Sequence, residues 1–375
     1  MIKELSCPKC SAPLSVGSAS QRLVVCTFCG ATSMVDLSGA EPKLRLDESG
    51  VLDRSSGELV AGASLWKDAW KRLLKNKLAV FGMIVLGVMV VAVIIGPPII
   101  RLTTGFTPDY IPSDIDGGAR VQSFPPSVQH PMGTDDKGRD LLARVLQGGR
   151  ISLMVGIIST IVSLLVGVSW GAIAGYIGGR VDNLMMRIVD IIYAIPYILI
   201  VIVLLSVFGG PNTPDFIDAL SSFFGGAGNQ GLSQIFLLFL ALGLVSWLTM
   251  ARVVRGQILS LKNQEFVLAA KATGVSTPAI IFRHLVPNAL GPVIVYATLT
   301  VPSVMLTEAF LSFLGLGVQA PYASWGSLAA DGIKNIQIFP WQLIFPGVTM
   351  ALTLFSLNFL GDGLRDALDP QTRKF

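Results

Sequence analysis

The chain reads as an all-α polytopic membrane protein of six transmembrane helices, preceded by a small cysteine-bearing module. Three observations carry that reading. Hydrophobic residues fill 52% of the 375 positions and charged residues only 14%, and the mean hydropathy is +0.65, far from the composition of a soluble domain. Six apolar stretches, residues 78–100, 151–177, 188–208, 235–250, 290–316 and 341–360, match the roughly 20 helical residues that cross about 30 Å of hydrocarbon. All four cysteines fall in the first thirty residues, ahead of every apolar stretch.

Those cysteines are arranged as Cys7-x2-Cys10 and Cys26-x2-Cys29, with fifteen residues between the pairs. This is zinc-ribbon spacing, because Zn2+ prefers four tetrahedral thiolates and each Cys-x2-Cys turn offers two sulfurs. A module of residues 1–34 buries too little apolar area to fold alone, so the bound Zn2+ supplies most of its folding free energy. The competing reading is two disulfides or a redox pair; cytoplasmic placement argues against stable disulfides. A protein-docking role comes first and a nucleic-acid contact second. Lys3, Lys9 and Arg22 are too few to make a phosphate-binding surface, so no nucleic-acid partner is expected.

Residues 35–64 mix Gly, Ser, Asp, Glu and Pro without periodicity and read as a flexible linker. Residues 65–77 follow as an amphipathic helix. Trp66, Ala69, Trp70, Leu73 and Leu74 make an apolar stripe opposed by Lys67, Lys71, Arg72 and Lys75, the pattern of a helix lying at the headgroups of the lipid bilayer. The remainder, residues 78–375, opens on an apolar run of full span length near Leu78, which is expected to act as its own insertion signal.

Lysine and arginine set the orientation, since cytoplasmic flanks are enriched in both. Lys67, Lys71, Arg72, Lys75 and Lys77 precede the first span, placing the N-terminus in the cytoplasm. Six crossings return the C-terminus, with Arg365, Arg373 and Lys374, to the same side. Residues 101–150 are expected to form a long outer loop, and residues 263–287, with Arg252, Arg255 and Lys262 before them and Lys271 and Arg283 among them, a cytoplasmic one. The net charge of +4 follows from this topology.

The segment 263–287 has its own local logic. Asn263 is placed to cap a short helix whose first turn holds Glu265, favourable at the positive helix end. Phe266, Ala269, Ala270 and Thr273 recur at three- and four-residue spacing on one face, where small side chains allow close approach. Gly274 supplies a left-handed stop, and Thr277-Pro278 has the cap-then-proline order that starts a second helix. An ordinary loop between spans satisfies the same chain physics.

The run VLAAKATGVSTPAIIFRHLVP from Val267 to Pro287 also resembles the cytoplasmic coupling loop of bacterial ABC importer permeases. Further segments are similar, in order, to the permease subunits of the oligopeptide, dipeptide and nickel importer family: HPMGTDDKGRD from His130 to Asp140, RISL from Arg150, AGYIGG from Ala174, MRIVD from Met186, LSFLGLG from Leu311, SWG from Ser324 and GDGLRDALDP from Gly361. The likeness runs from about Leu65 to the C-terminus. It implies a type I ABC importer permease fold in the cell membrane, plasma or inner. It also implies a second homologous permease, two ABC ATPase subunits and an extracytoplasmic substrate-binding protein as partners. Short peptides are the family's commonest cargo, beside nickel chelates, sugars and other solutes. Carried over residue by residue, Glu265, Ala269, Ala270, Gly274, His284, Leu285 and Pro287 would contact or position the ATPase. One departure is Leu268, which stands where the coupling motif has a glutamate; Glu265 is the nearest replacement.

Outside that loop, Glu308 lies inside the fifth apolar stretch, where an ionisable group faces a partner or a water-filled path. It lines a gate or hydrogen-bonds neighbouring helices. Arg187 and Asp190 are spaced for a local ion pair. The outer segment from Pro131 to Asp140 either docks a binding protein or packs on its own subunit.

The chain is not expected to be an enzyme. It carries no G-x4-G-K-[ST] phosphate loop and no His-Glu-x-x-His, and its only histidines, His130 and His284, fall outside the spans, which excludes the motifs of P-loop ATP hydrolysis and of a zinc protease. ATP hydrolysis is expected in partner chains. The alternative is a zinc-ribbon-bearing membrane scaffold or sensor derived from a permease, supported in the sequence by Leu268.

Overall fold

A computed structural model describes residues 65–109, 123–208, 215–216, 219 and 230–368, together with five short strands in the first 46 residues. The chain divides into two compact units, Met1–Leu65 and Trp66–Phe375.

In the first unit β1 (Leu5–Ser6) pairs antiparallel with β2 (Pro13–Leu14). Strands β3 (Leu23–Val25), β4 (Thr32–Asp36) and β5 (Lys43–Leu46) form a separate antiparallel sheet in that order. The sequence reads residues 35–64 as a linker, yet Lys43, Leu44, Arg45 and Leu46 alternate charge and apolar side chain, the period of a strand, and β5 pairs with β4 there. Cys7, Cys10, Cys26 and Cys29 lie outside the described residues.

The second unit is all-helical. Helix α1 (Leu65–Lys75) breaks at Asn76, whose extended backbone and side chain, accepting from the amides of Leu78 and Ala79, start α2 (Lys77–Thr104). The apolar stripe of α1 divides in two. Ala69 and Leu73 are buried against Leu364, Ala367 and Leu368 of the last helix, whereas Trp70 and Leu74 remain exposed.

Helix α3 (Leu141–Ile177, 37 residues) starts ten residues before the expected span. Asp140 caps it by accepting from the amide of Ala143 at 2.7 Å, and the charged residues of the extra turns are accommodated, Arg144 being buried and paired with Asp135 at 3.0 Å. Gly167, Gly171 and Gly175 recur every fourth residue and face α6 (Gln230–Leu261). A Cβ on Gly171 would run into the carbonyl of Ala251, and one on Gly167 would stand 2.7 Å from the Met250 Cβ. Small residues at this spacing let two membrane helices approach closely without a side-chain layer between them.

The stretch 188–208 is not one straight span. Helix α4 (Gly179–Ala194) and helix α5 (Tyr197–Phe208) meet at an 84° bend. Ile195 has extended dihedrals, φ −84° and ψ 131°, as the ring of Pro196 disfavours helical geometry in the residue before it.

The fifth span, α8, runs Thr277–Phe313, begins earlier than expected, and includes a π-helical segment, Ile280–Leu285. A short helix, α9 (Trp325–Lys334), precedes α10 (Trp341–Leu368). Among the described residues five helices are long and apolar enough to cross a membrane, or six when the bent α4–α5 pair counts as one span.

Candidate functional site

Between α6 and α8 the chain forms α7 (Glu265–Ala272). Its N-cap is Gln264, with no side-chain bond to the helix, so Asn263 is not the cap; the chain turns one residue later, where Gln264 takes the extended geometry, φ −70° and ψ 152°. The buried face is Val267 and Ala270, packed with Ile258 of α6 and with Ile280, Ile281 and Leu285 of α8. Phe266, Ala269 and Thr273 are exposed, so the expected single face of Phe266, Ala269, Ala270 and Thr273 gives up only Ala270 to the core. The i to i+3 ridge of Val267 and Ala270 is the one that fits the apolar floor beneath it.

Gly274 has φ +78° and ends α7 as expected. Its amide donates to the Lys271 carbonyl at 3.0 Å, and the Val275 amide donates to the Ala270 carbonyl at 3.1 Å. These two bonds are the paired closure of a Schellman motif, which needs a left-handed residue at the position Gly274 occupies. The next helix is capped by Ser276 rather than Thr277, with Thr277 and Pro278 opening the first turn. Its π-helical turns carry His284, half-buried, and Leu285, fully buried, and lead into exposed Pro287. Proline lacks the amide needed to continue an α ladder, and wide π turns accommodate such breaks.

The segment is also held laterally. The Lys271 ammonium sits 5.2 Å from the centre of the Tyr176 ring at the end of α3, and Lys262 donates to the Gly175 carbonyl at 3.1 Å. The outward face of α7 therefore presents Glu265, Phe266, Leu268 and Ala269 on a rigid base. Of the predicted residues, Ala270 and Leu285 root this structure, Gly274 closes it, and Glu265, Ala269 and Pro287 face outward.

Beside it, two ion pairs that sequence reading missed tie α4 to α6. The Arg255 guanidinium bonds both carboxylate oxygens of Asp182, at 2.5 and 2.6 Å. Arg252 bonds Asp190 at 2.9 Å and lies 4.3 Å from the Tyr193 ring centre. The expected Arg187–Asp190 pair is thus replaced by Arg252–Asp190, because the stacked guanidinium reaches Asp190 from the neighbouring helix. The signal available beforehand was only two arginines three residues apart on α6.

Glu308 is 1% exposed. One carboxylate oxygen accepts from the Ser312 hydroxyl at 2.6 Å and from the Ser324 hydroxyl at 2.7 Å. Ser324 is in turn the N-cap of α9 in a capping box with Ser327, and Gly326 lies against Ala309 with no room for a Cβ. The Trp325 amide donates to Ser152 at 3.0 Å, and its indole donates to the Val145 carbonyl at 2.8 Å. Glu308 thereby joins α8 to the start of α9, a positive helix end that favours a carboxylate. Ser312 and Ser324 were not separable from other serines before folding brought them together.

The segment before α3 is built inward. Asp135 accepts from Arg139 at 2.7 Å and from Arg144 at 3.0 Å, His130 and Asp140 are 2.8 Å apart, and Gln342 of α10 donates to the Thr134 carbonyl at 3.0 Å. Of the two readings open for Pro131 to Asp140, packing on its own subunit accounts for these side chains.

Residues 167–374 match the family model described as binding-protein-dependent transport system inner membrane component, and residues 64–125 match that of the N-terminal TM domain of oligopeptide transport permease C. The chain is 44% identical to the oligopeptide transport system permease protein OppC of Bacillus subtilis, over 83% of this chain and 91% of that one. It is 45% identical to OppC of Escherichia coli K12, over 84% and 94%. It is 43% identical to the dipeptide transport system permease protein DppC of Bacillus subtilis, over 83% and 87%. A chain of the MetNI methionine ABC transporter superposes on 61% of this chain and 96% of its own, with a TM-score of 0.43 at 18% identity. By its family models and relatives, the chain belongs to the binding-protein-dependent transport system inner membrane components.

Proposed function

We propose that this chain is the membrane permease subunit of an ATP-driven importer of short peptides, forming half of the translocation pathway beside a second homologous permease. The observation that carries the reading is α7: a short helix closed at Gly274, seated on the ends of α3, α6 and α8, and presenting an outward face. A rigid protrusion of this kind passes a push from a partner into three spans at once. Two ABC ATPase subunits supply the push, and a substrate-binding protein outside the cell membrane supplies the peptide. Peptide cargo rests on the names of the oligopeptide and dipeptide relatives. The basic residues before α2 and after α10 support cytoplasmic termini under the positive-inside rule. Purification of the chain from its native membrane in mild detergent, with mass spectrometry of what stays bound, tests the assembly. An ATPase and a second permease are expected; their absence under conditions that preserve a known importer would favour the scaffold or sensor.

The N-terminal unit is proposed to hold one structural Zn2+ on Cys7, Cys10, Cys26 and Cys29. Support comes from strand pairing. Ser6 pairs with Pro13 and Val25 with Thr32, so each Cys-x2-Cys falls in the connection of an antiparallel hairpin. Four thiolates are a closed donor set for zinc, without an open position for catalysis. Metal analysis of the purified full chain is expected to give one zinc per chain, lost in Cys7→Ser with membrane insertion intact; unchanged zinc in that variant would refute the site.

A further inference from the structure

We propose that α1 and the first turn of α2 form a binding site for the headgroups of anionic phospholipids. Two observations meet there. The first is an apolar strip that the fold leaves uncovered: Trp70 is 56% exposed, Leu74 51% and Leu78 57%. This strip continues into the exposed apolar surface of the spanning helix α2, at Phe81, Ile84 and Val88, which in a membrane faces acyl chains. The second is a row of cations along the same stretch. Lys71, Lys75 and Lys77 are exposed, and none of them, nor Arg72, has an acidic partner within ion-pair distance among the described residues.

The anchoring of α1 explains why this strip is presented instead of folded away. Ala69 and Leu73 fill the contact with Leu364, Ala367 and Leu368 of α10. Gly363 is pressed so closely on Ala79 and Leu73 that a Cβ would collide there. The opposite side of α1 is thereby fixed outward at the level where α2 enters the hydrocarbon. Lys71 and Lys75 are one turn apart, as are Trp70 and Leu74 on the adjoining row. Amphipathic helices with this division place apolar groups at the acyl boundary and basic groups among phosphates. Lysine stems extend the same way, lying along apolar surface with the ammonium in the headgroup layer. The acidic groups nearby are Asp362 and Asp366, exposed on the end of α10, and Asp68 in the sequence of α1. They are outnumbered by Lys71, Arg72, Lys75, Lys77 and Arg365.

The site requires only that α2 spans the membrane, and holds whichever solute is carried. The ligand is defined by its chemistry: a phosphodiester with net negative charge joined to two acyl chains.

Native mass spectrometry of the full-length chain, titrated with phosphatidylglycerol and with phosphatidylcholine, tests the proposal. A basic side chain near an anionic surface favours binding by about fivefold, so three lysines give a preference for phosphatidylglycerol of at least roughly tenfold after screening. The K71Q/K75Q/K77Q variant is expected to lose that preference, whereas K71R/K75R/K77R keeps it. In the wild-type chain the preference is expected to fall as ionic strength rises, a measurement that stands even if the glutamine variant does not fold. Equal binding of the two lipids by the wild type would overturn the proposal and hand the strip to a protein partner. Retention of the full preference in the glutamine variant would overturn it as well.

Discussion

Glu308 is a buried carboxyl inside the membrane-spanning helix α8. In the fold both hydroxyls within reach, Ser312 and Ser324, point at one of its oxygens, and the second of these caps α9. The carboxylate is therefore a tie between a span and the short helix α9. Glu308→Ala leaves two hydroxyls without their acceptor, and an orphaned buried polar group costs about 1–3 kcal/mol. The expected result is a lowered unfolding temperature in detergent, largely restored in Glu308→Gln, which keeps an acceptor oxygen. Equal stability of the wild type and the alanine variant would remove Glu308 from this role. What hid the arrangement from sequence reading is distance along the chain: Ser324 lies sixteen residues from Glu308, and no spacing rule links a helix interior to the cap of a later helix.

Elements were legible where one local rule dominated and illegible where partners decided. The stop at Gly274 follows from left-handed geometry alone, and the structure has it at φ +78°. The break before Pro196 was equally available, since proline restrains the residue ahead of it, yet apolar length concealed it. The ten early residues of α3 were hidden by Arg144 and Arg150, because a hydropathy pattern treats a charge as an end of the span and takes no account of its pairing with Asp135. The α4–α6 connection is of the same kind. Asp182 is 9% exposed and Arg255 33%, so losing the arginine strands a carboxylate that solvent hardly reaches, whereas losing the aspartate leaves a guanidinium that can turn outward. Arg255→Ala is therefore expected to destabilise more than Asp182→Ala. A double-mutant cycle should give a coupling of about 0.5–3 kcal/mol, the range for contacting residues. Additive effects in denaturation of the purified chain would show that the two helices are held by apolar packing instead.

At the scale of the whole molecule, helices α3, α6 and α8 pack together and α7 is seated on them. The glycine row of α3 removes the side-chain layer between α3 and α6, and the core of Val254, Ile258, Val267, Ala270, Ile281 and Leu285 joins both to α7 and α8. The proposed push on α7 would therefore reach α3, α6 and α8 through direct packing. The short helix within residues 263–287 was legible in the sequence, but the choice of Val267 over Phe266 as its inward face came from the neighbouring helices.

In the proposed importer, force from the ATPase enters through residues 263–287. The most direct test is ATP-driven uptake of a labelled short peptide into proteoliposomes holding the co-purified complex, with wild-type chain or with Gly274→Pro. Proline cannot adopt the positive φ of Gly274 and lacks the amide that bonds the Lys271 carbonyl, so the closure of α7 is lost while the spans remain. The Gly274→Pro complex is expected to insert and retain its subunits but to take up peptide at a small fraction of the wild-type rate. Wild-type uptake by Gly274→Pro would contradict it.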